Sequence, residues 1–449
     1  MKHTGAGFRR VSGPIVAGMV CVSMPALGQS LSDTVESISG SASAYGEAVY
    51  TQTETLTGSR DNTKPGAGLT GQLGGALRSG ASHLALNYGG TLSTSRSLPT
   101  GDQTDSSSIN GAARYSWAAP ANPLDFNLGH SVQSVRNNTG FALNAGDYDT
   151  RNTLTGGAGL TFYPGALSSL RLAGQVGKSF GSGDLDDSES QTVSAEFMRQ
   201  LSERSRGGLV ARRSWADEDA VESTIDTAQF TYERELEAGF FSMAAGQSWS
   251  ESDYPGQTTR DSDAFTGYLT RVWIWPESQS SIEYHRELSD STTDLSLNLP
   301  PILQLFFPET IELRELVISD ELILSHSTRG LCTACNLSVL LRGERLESEL
   351  SGLETYNYGA AANLGVELTN LHRLYVAYSW QGDSDVETRA IRQQRHQLIL
   401  GVSRQLAEDI RTGVEFRQAW VLRKAEDSDE QQYAVRLYVA KDFSLTSVR

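Results

Sequence analysis

From about Ala42 to Phe443, short stretches of the chain alternate between apolar and polar residues. In residues 410–422, Ile410, Val414, Phe416 and Trp420 fall in one phase of the alternation, and Arg411, Gly413, Glu415 and Arg417 fall in the other. A period of two belongs to a β-strand whose faces meet different surroundings. Counting the stretches predicts about 20 strands (range about 16–20), an even number as bacterial membrane barrels favour. They include residues 43–53, 68–77, 82–93, 170–180, 265–274, 392–404, 410–422 and 433–443.

The connectors alternate in kind. Ser79-Gly80, Pro164-Gly165, Thr369-Asn370 and the segments 119–123, 203–206, 275–278 and 405–409 are rich in turn formers. Between them lie longer polar connectors such as 98–107, 137–149, 181–190, 251–260 and 423–429. Tyr115, Trp117, Phe162, Tyr163, Trp215, Trp249, Trp273, Trp275, Trp380 and Trp420 stand near strand ends, where interfacial girdles belong. The expected fold is therefore all-β: a single antiparallel up-and-down transmembrane barrel over residues 42–443. The short turns and both termini would face the periplasm, and the long loops would face outside.

Residues 1–28 read as an export signal. Lys2, Arg9 and Arg10 precede an apolar stretch at 11–22, and Ala26-Leu27-Gly28 supplies small residues for cleavage. Residues 29–41 would be a periplasmic segment, and 444–449 a tail. No stretch approaches the ~18 apolar residues of a membrane helix, and a mean hydropathy of −0.34 suits a wall that shows lipid every second residue. The net charge of −17 argues against a nucleic-acid partner. The acid gathers in connectors, as in 184–189 and 426–430. These are solvated loops first, and sites of divalent-cation bridging to anionic lipopolysaccharide second.

If the apolar phase faces lipid, the opposite phase places Arg114, Arg171, Glu196, Arg212, Glu233, Glu283, Arg342, Glu344, Arg411, Glu415, Arg417 and Arg436 on the lumenal side. An arginine at the lipid midplane costs ~2–4 kcal/mol, so these groups need water or one another. Arg411, Arg417 and Arg436 on adjacent strands form a basic patch that would select anionic sugars unless Glu415 neutralises it. One connector departs from the rest: residues 290–311 hold Leu295, Leu297, Leu299, Ile302, Leu303, Leu305, Phe306 and Phe307 at a position that should be extracellular. An apolar loop there is a constriction in the lumen, a surface resting on the membrane or a partner, or a hairpin packed on itself.

Other motifs carry less. Gly66-Ala-Gly68-Leu-Thr-Gly71 matches a dinucleotide spacing but opens a strand with no helix after it. Cys332 and Cys335 sit in a turn and suit a structural disulfide in an oxidising compartment. His3, His83, His130, His285, His326, His372 and His396 show no metal-ligand spacing. No catalytic residue, metal or cofactor is expected.

The series formed by residues 41–50, a polar loop, a Gly-rich strand, Leu84-Ala-Leu-Asn-Tyr88 and the Pro120-Ala-Asn-Pro-Leu-Asp-Phe126 turn resembles outer-membrane β-barrels associated with exopolysaccharide synthesis and PEP-CTERM/exosortase gene clusters. The likeness runs over nearly the whole chain after the leader. It implies export or assembly of secreted polysaccharide at the outer membrane, with periplasmic export components as partners. Such barrels end in an aromatic residue read by the barrel-assembly machinery, whereas Phe443 here precedes the 444–449 tail. A diffusion porin for small polar solutes, and a scaffold barrel holding a periplasmic or surface partner, remain alternatives.

Overall fold

The computed structural model describes residues 35–446 apart from 57, 121, 137–147, 182–186, 219–220, 254–258, 290–316, 349–351, 353, 386–390 and 425–427. The described chain forms twenty strands. They are β1 Val35–Thr55, β2 Gly58–Ser79, β3 Ser82–Arg96, β4 Gln103–Ala118, β5 Leu124–Arg136, β6 Tyr148–Gly165, β7 Ser168–Gly181, β8 Ser188–Ser202, β9 Ser205–Glu218 and β10 Val221–Leu236, followed by β11 Gly239–Asp253, β12 Arg260–Ile274, β13 Ser278–Ser289, β14 Val317–Thr328, β15 Cys335–Ser348, β16 Glu354–Thr369, β17 His372–Asp385, β18 Ile391–Ala407, β19 Ile410–Arg423 and β20 Ser428–Thr446. Each pairs antiparallel with its neighbours in sequence, and β1 pairs with β20 from Ser37↔Thr446 to Glu54↔Asp429, closing the sheet on itself.

The register fixes the barrel's dimensions. Passing from partner to partner around the wall returns to β1 displaced by about 26 residues, a shear that tilts the strands about 42° and sets opposite backbone walls about 40 Å apart.

Alternation then separates two faces. Leu209, Phe265 and Leu437 are about 60% exposed, because they point away from the barrel. Trp117, Trp273 and Trp275 lie toward the end with the short turns, and Trp215, Trp249, Trp380 and Trp420 toward the other. At this tilt the belts stand about 20 Å apart, close to the ~25 Å apolar band of bacterial barrels. An exposed apolar band between aromatic belts is stable only in lipid, so the wall is membrane-spanning. Residues 35 and 446 lie at the same end as the turns. One of those turns holds Gly239 at φ 106°, in the left-handed region that favours glycine.

The strands run longer than the alternation suggests. β1 begins at Val35 rather than near 42, and β20 continues to Thr446 through the expected tail. Much of the expected 98–107 connector is also strand, as β4 starts at Gln103. At the β4 end the wall extends past the lipid and meets water on both faces, so the pairing continues while the apolar beat stops, whereas at the β1 end Ile38, Gly40 and Ala42 still alternate with Ser37, Ser39 and Ser41. β1 and β2 reach 21 and 22 residues, against 12 each for β13 and β14. Gly66, Gly68 and Gly71 lie inside β2, paired with β1 and β3, with no helix after them. The signal and the 290–311 connector, including Leu295 to Phe307, lie outside the described residues.

The facing of the wall is testable within one strand. Leu269 on β12 points to lipid and Thr270 to the lumen. Leu269→Arg is expected to cost about 2–4 kcal/mol and Thr270→Arg close to nothing, measured by urea titration of the barrel folded into liposomes. Equal costs would show the two faces to be misassigned.

Candidate functional site: the lumenal wall

All twelve lumenal residues expected from the alternation fall on the inward face. The structure joins five of them, Arg171, Glu233, Arg342, Arg411 and Arg436, to acids or bases that the sequence did not single out. Arg171 meets Asp125 at 2.7 Å and stands across from Glu196. Glu233 pairs with Arg206. Arg212 stands across from Ser194 and Thr227. Arg114 stands across from Ala85 and Gly129 and makes no ion pair among the described residues.

Two segments of the wall are denser. On β13–β16, the Arg342 Nε donates to Glu321 at 2.5 Å, and its guanidinium lies 3.3 Å from Glu344. Asn357 donates to the other oxygen of Glu344 at 3.0 Å, and Glu283 lies 4.0 Å from His285. Glu321 and Glu344 are buried. Beside them Ile323, Leu340, Ala361 and Ala377 form a small apolar patch. This segment carries more carboxylates than guanidinia.

The second segment runs across β17–β20 onto β1. Tyr375 donates to Glu415, which also accepts from Arg417. Arg436 donates to Glu47 at 2.7 Å and lays its guanidinium 3.9 Å over the Tyr45 ring. Arg411 meets Asp442 at 3.1 Å. Glu415, Glu47 and Asp442 thus neutralise the expected basic patch of Arg411, Arg417 and Arg436.

The rest of the lumenal face is largely hydroxyl. Thr227, Ser248 and Thr266 link across three strands at 2.9 and 2.8 Å, with Gln229 donating to Thr266 at 3.1 Å. Ser93 with Ser106, Thr153 with Ser179, and Ser281 with Ser325 repeat the pattern at 2.6, 2.9 and 2.7 Å. Among the described residues, no element leaves the wall to cross the lumen.

Two further features sit off this face. Cys332 and Cys335 are joined by a disulfide in the β14–β15 turn, with Cα atoms 5.2 Å apart. On the outer face, level with the upper aromatic belt, Arg286 and Arg345 lie 2.6 and 3.5 Å from Asp320, and Arg345 also meets Glu347 and Glu354. At headgroup level such groups reach water. Taking the inward phase along every strand, rather than only where it carried a conspicuous charge, would have found Glu47, Asp125, Glu321 and Asp442. The outward ion pairs gave no such signal, because they break the apolar phase.

These features define the class, a transmembrane β-barrel of twenty strands with a polar lumenal wall. No protein-family model matches the sequence, and no curated protein matches it. Among solved structures the chain is similar to Pseudomonas aeruginosa OccK2 (OpdF), at 13% identity over 91% of this chain and 98% of that one, with a TM-score of 0.38. The copper transporter OprC gives 8% identity over 91% and 80%, with a TM-score of 0.43. The ferric-catecholate import receptor Fiu from E. coli gives 10% over 89% and 81%, with a TM-score of 0.39.

Removing Arg342 leaves Glu321 and Glu344 without their shared counter-ion. Arg342→Met is expected to cost about 3 kcal/mol, the low end for breaking a buried pair beside water. Adding Glu321→Gln and Glu344→Gln should recover most of it. Denaturant midpoints of the detergent-folded barrel decide, and a triple variant no better than the single one would contradict the electrostatic origin.

Proposed function

We propose that the barrel is a conduit in a bacterial outer membrane through which secreted polysaccharide leaves the cell or is assembled at its surface. The observation that carries this reading is the lumen: a wall about 40 Å across, lined by hydroxyls and ion pairs. Barrels of 16–18 strands already leave an aqueous channel, so twenty strands have room for a polymer. A hydrated chain rich in hydroxyls exchanges hydrogen bonds with such a wall at little net cost.

The charge pattern of the described wall favours this reading over a small-solute porin. The acid-rich β13–β16 segment faces β4–β7, with Arg114 and Arg171, from ten strands away. The gap is several times the ~8 Å Debye length at physiological salt, so the two segments act as separate patches on the wall and not as a clamp across a narrow pore. The orientation follows the usual rule for outer-membrane barrels, turns inside and loops outside. The disulfide-bonded 332–335 turn would then face periplasmic export components, and the outer ionic row would face lipopolysaccharide headgroups.

A deletion strain is expected to lose secreted polysaccharide and to regain it when the gene is restored, measured as extracellular carbohydrate. The purified barrel should also give a large ohmic conductance in planar bilayers. Normal export without the gene would remove polysaccharide as cargo, and a closed lumen would point to the scaffold reading.

A further inference from the structure

The second dense segment of the wall has the geometry of a sugar site, an inference that rests on the conduit reading. We infer that the lumenal surface of β17–β20 and β1 binds a neutral, hydroxyl-rich sugar polymer, through the ring faces of Tyr375 and Tyr438 and the polar groups between them.

The rings are set by glycines. Tyr375 is the register partner of Gly401, and a Cβ on Gly401 would collide with the Tyr375 ring. Tyr438 is the partner of Gly413, and Tyr45 lies over Gly68 in the same way. With no side chain beneath it, each tyrosine folds sideways onto the neighbouring strand and lies against the wall. One ring face then meets backbone and the other meets the lumen. The Tyr45 face is taken by the Arg436 guanidinium at 3.9 Å. Tyr375 and Tyr438 carry no such cover among the described residues.

Gly401 pairs with Glu415, and Gly413 lies two residues along β19 from Glu415. One strand step and two residue steps place the two glycines, and the rings upon them, about 8 Å apart. A short run of sugar rings in one chain reaches across such a distance. Glu415 lies in the space between, and its partner Arg436 on β20 flanks it with the guanidinium turned to Glu47. They offer planar acceptors and donors to hydroxyls beside two apolar ring faces, the combination that a pyranose presents in complement.

The charge balance selects the class of polymer. Arg411, Arg417 and Arg436 are each held by a carboxylate, Asp442, Glu415 and Glu47. A polyanion would have to displace those partners from partly buried pairs, leaving a carboxylate uncompensated. The acid-rich β13–β16 segment adds repulsion along the same lumen. A polycation gains little from guanidinia that are already satisfied. A neutral polymer disturbs neither.

Maltohexaose and hexagalacturonate serve as neutral and anionic probes of equal length. Calorimetry on the detergent-folded barrel is expected to show maltohexaose binding at least tenfold tighter than hexagalacturonate. Tyr375→Ala and Tyr438→Ala should each weaken maltohexaose about tenfold, equivalent to about 1.4 kcal/mol. Tyr438→Phe, which keeps the ring, should stay within about twofold, and Glu415→Gln, which frees Arg417, should move the preference toward hexagalacturonate. Heat-modified electrophoretic mobility confirms that each variant is folded. Tighter binding of the anion by the unaltered barrel, no binding of maltohexaose, or indifference to both alanine substitutions would overturn the assignment. Bilayer conductance is read separately: an ohmic channel with no sugar binding defeats this site alone, and a barrel that binds maltohexaose without conducting defeats the conduit reading while the site stands.

Discussion

Everything in this molecule depends on the closing of backbone hydrogen bonds into a ring. Within hydrocarbon an unpaired N–H or C=O has no water to turn to, so a sheet that crosses a membrane must have no edge. The β1–β20 seam meets that demand with pairing from Ser37↔Thr446 to Glu54↔Asp429. Closure then imposes the rest. Twenty strands at this shear fix the width, the width fixes a lumen too large for side chains to fill, and the two-residue period sends every second residue into that lumen. A slip of one residue at the seam would turn Arg436 and Tyr438 toward lipid and Leu437 toward water. The Arg436–Glu47 pair across the seam therefore marks the register as well as neutralising the wall.

The lumenal chemistry follows from the same geometry. Inward side chains on neighbouring strands stand close enough to pair, whereas those on opposite walls do not. Charge is therefore settled locally, as in Arg171 with Asp125 or Arg342 between Glu321 and Glu344. Shared hydroxyls such as Thr227, Ser248 and Thr266 cover much of the remaining surface. The wall that results is polar and nearly balanced in charge along most of its circumference. It departs from balance on β13–β16, and it carries clustered aromatic faces on β17–β1.

The strand number, the antiparallel order and the inward phase of Arg114 through Arg436 were legible in the sequence because lipid enforces alternation. Where lipid ends, so does the signal. Gln103 to Ser107 pair with β3 without alternating in polarity, since water lies on both sides, whereas Ser37, Ser39 and Ser41 pair with β20 and alternate with the small or apolar Ile38, Gly40 and Ala42. The partners of the lumenal charges were hidden for another reason. Which acid meets which base depends on register between strands that a single chain does not display. Glu47 and Arg436 lie at opposite ends of the sequence and meet only because the barrel closes. The apolar 290–311 connector is conspicuous in the sequence, and its flanking residues Leu288 and Ile318 are buried with Ile225 and Ala264 near the outer end.

The unequal strand lengths make the outer mouth lopsided. β1 and β2 are about ten residues longer than β13 and β14, and with the register carried around the wall their hairpin stands roughly 15 Å above the described ends of β13 and β14. It stands as a fin on one side of the opening, with Leu56 81% exposed at its tip. In the proposed orientation, antibodies, phages or neighbouring surface polymers approaching from outside would touch that fin before any other described part of the wall. The β1–β2 hairpin is thus the most protruding landmark among the described residues at the end opposite the short turns.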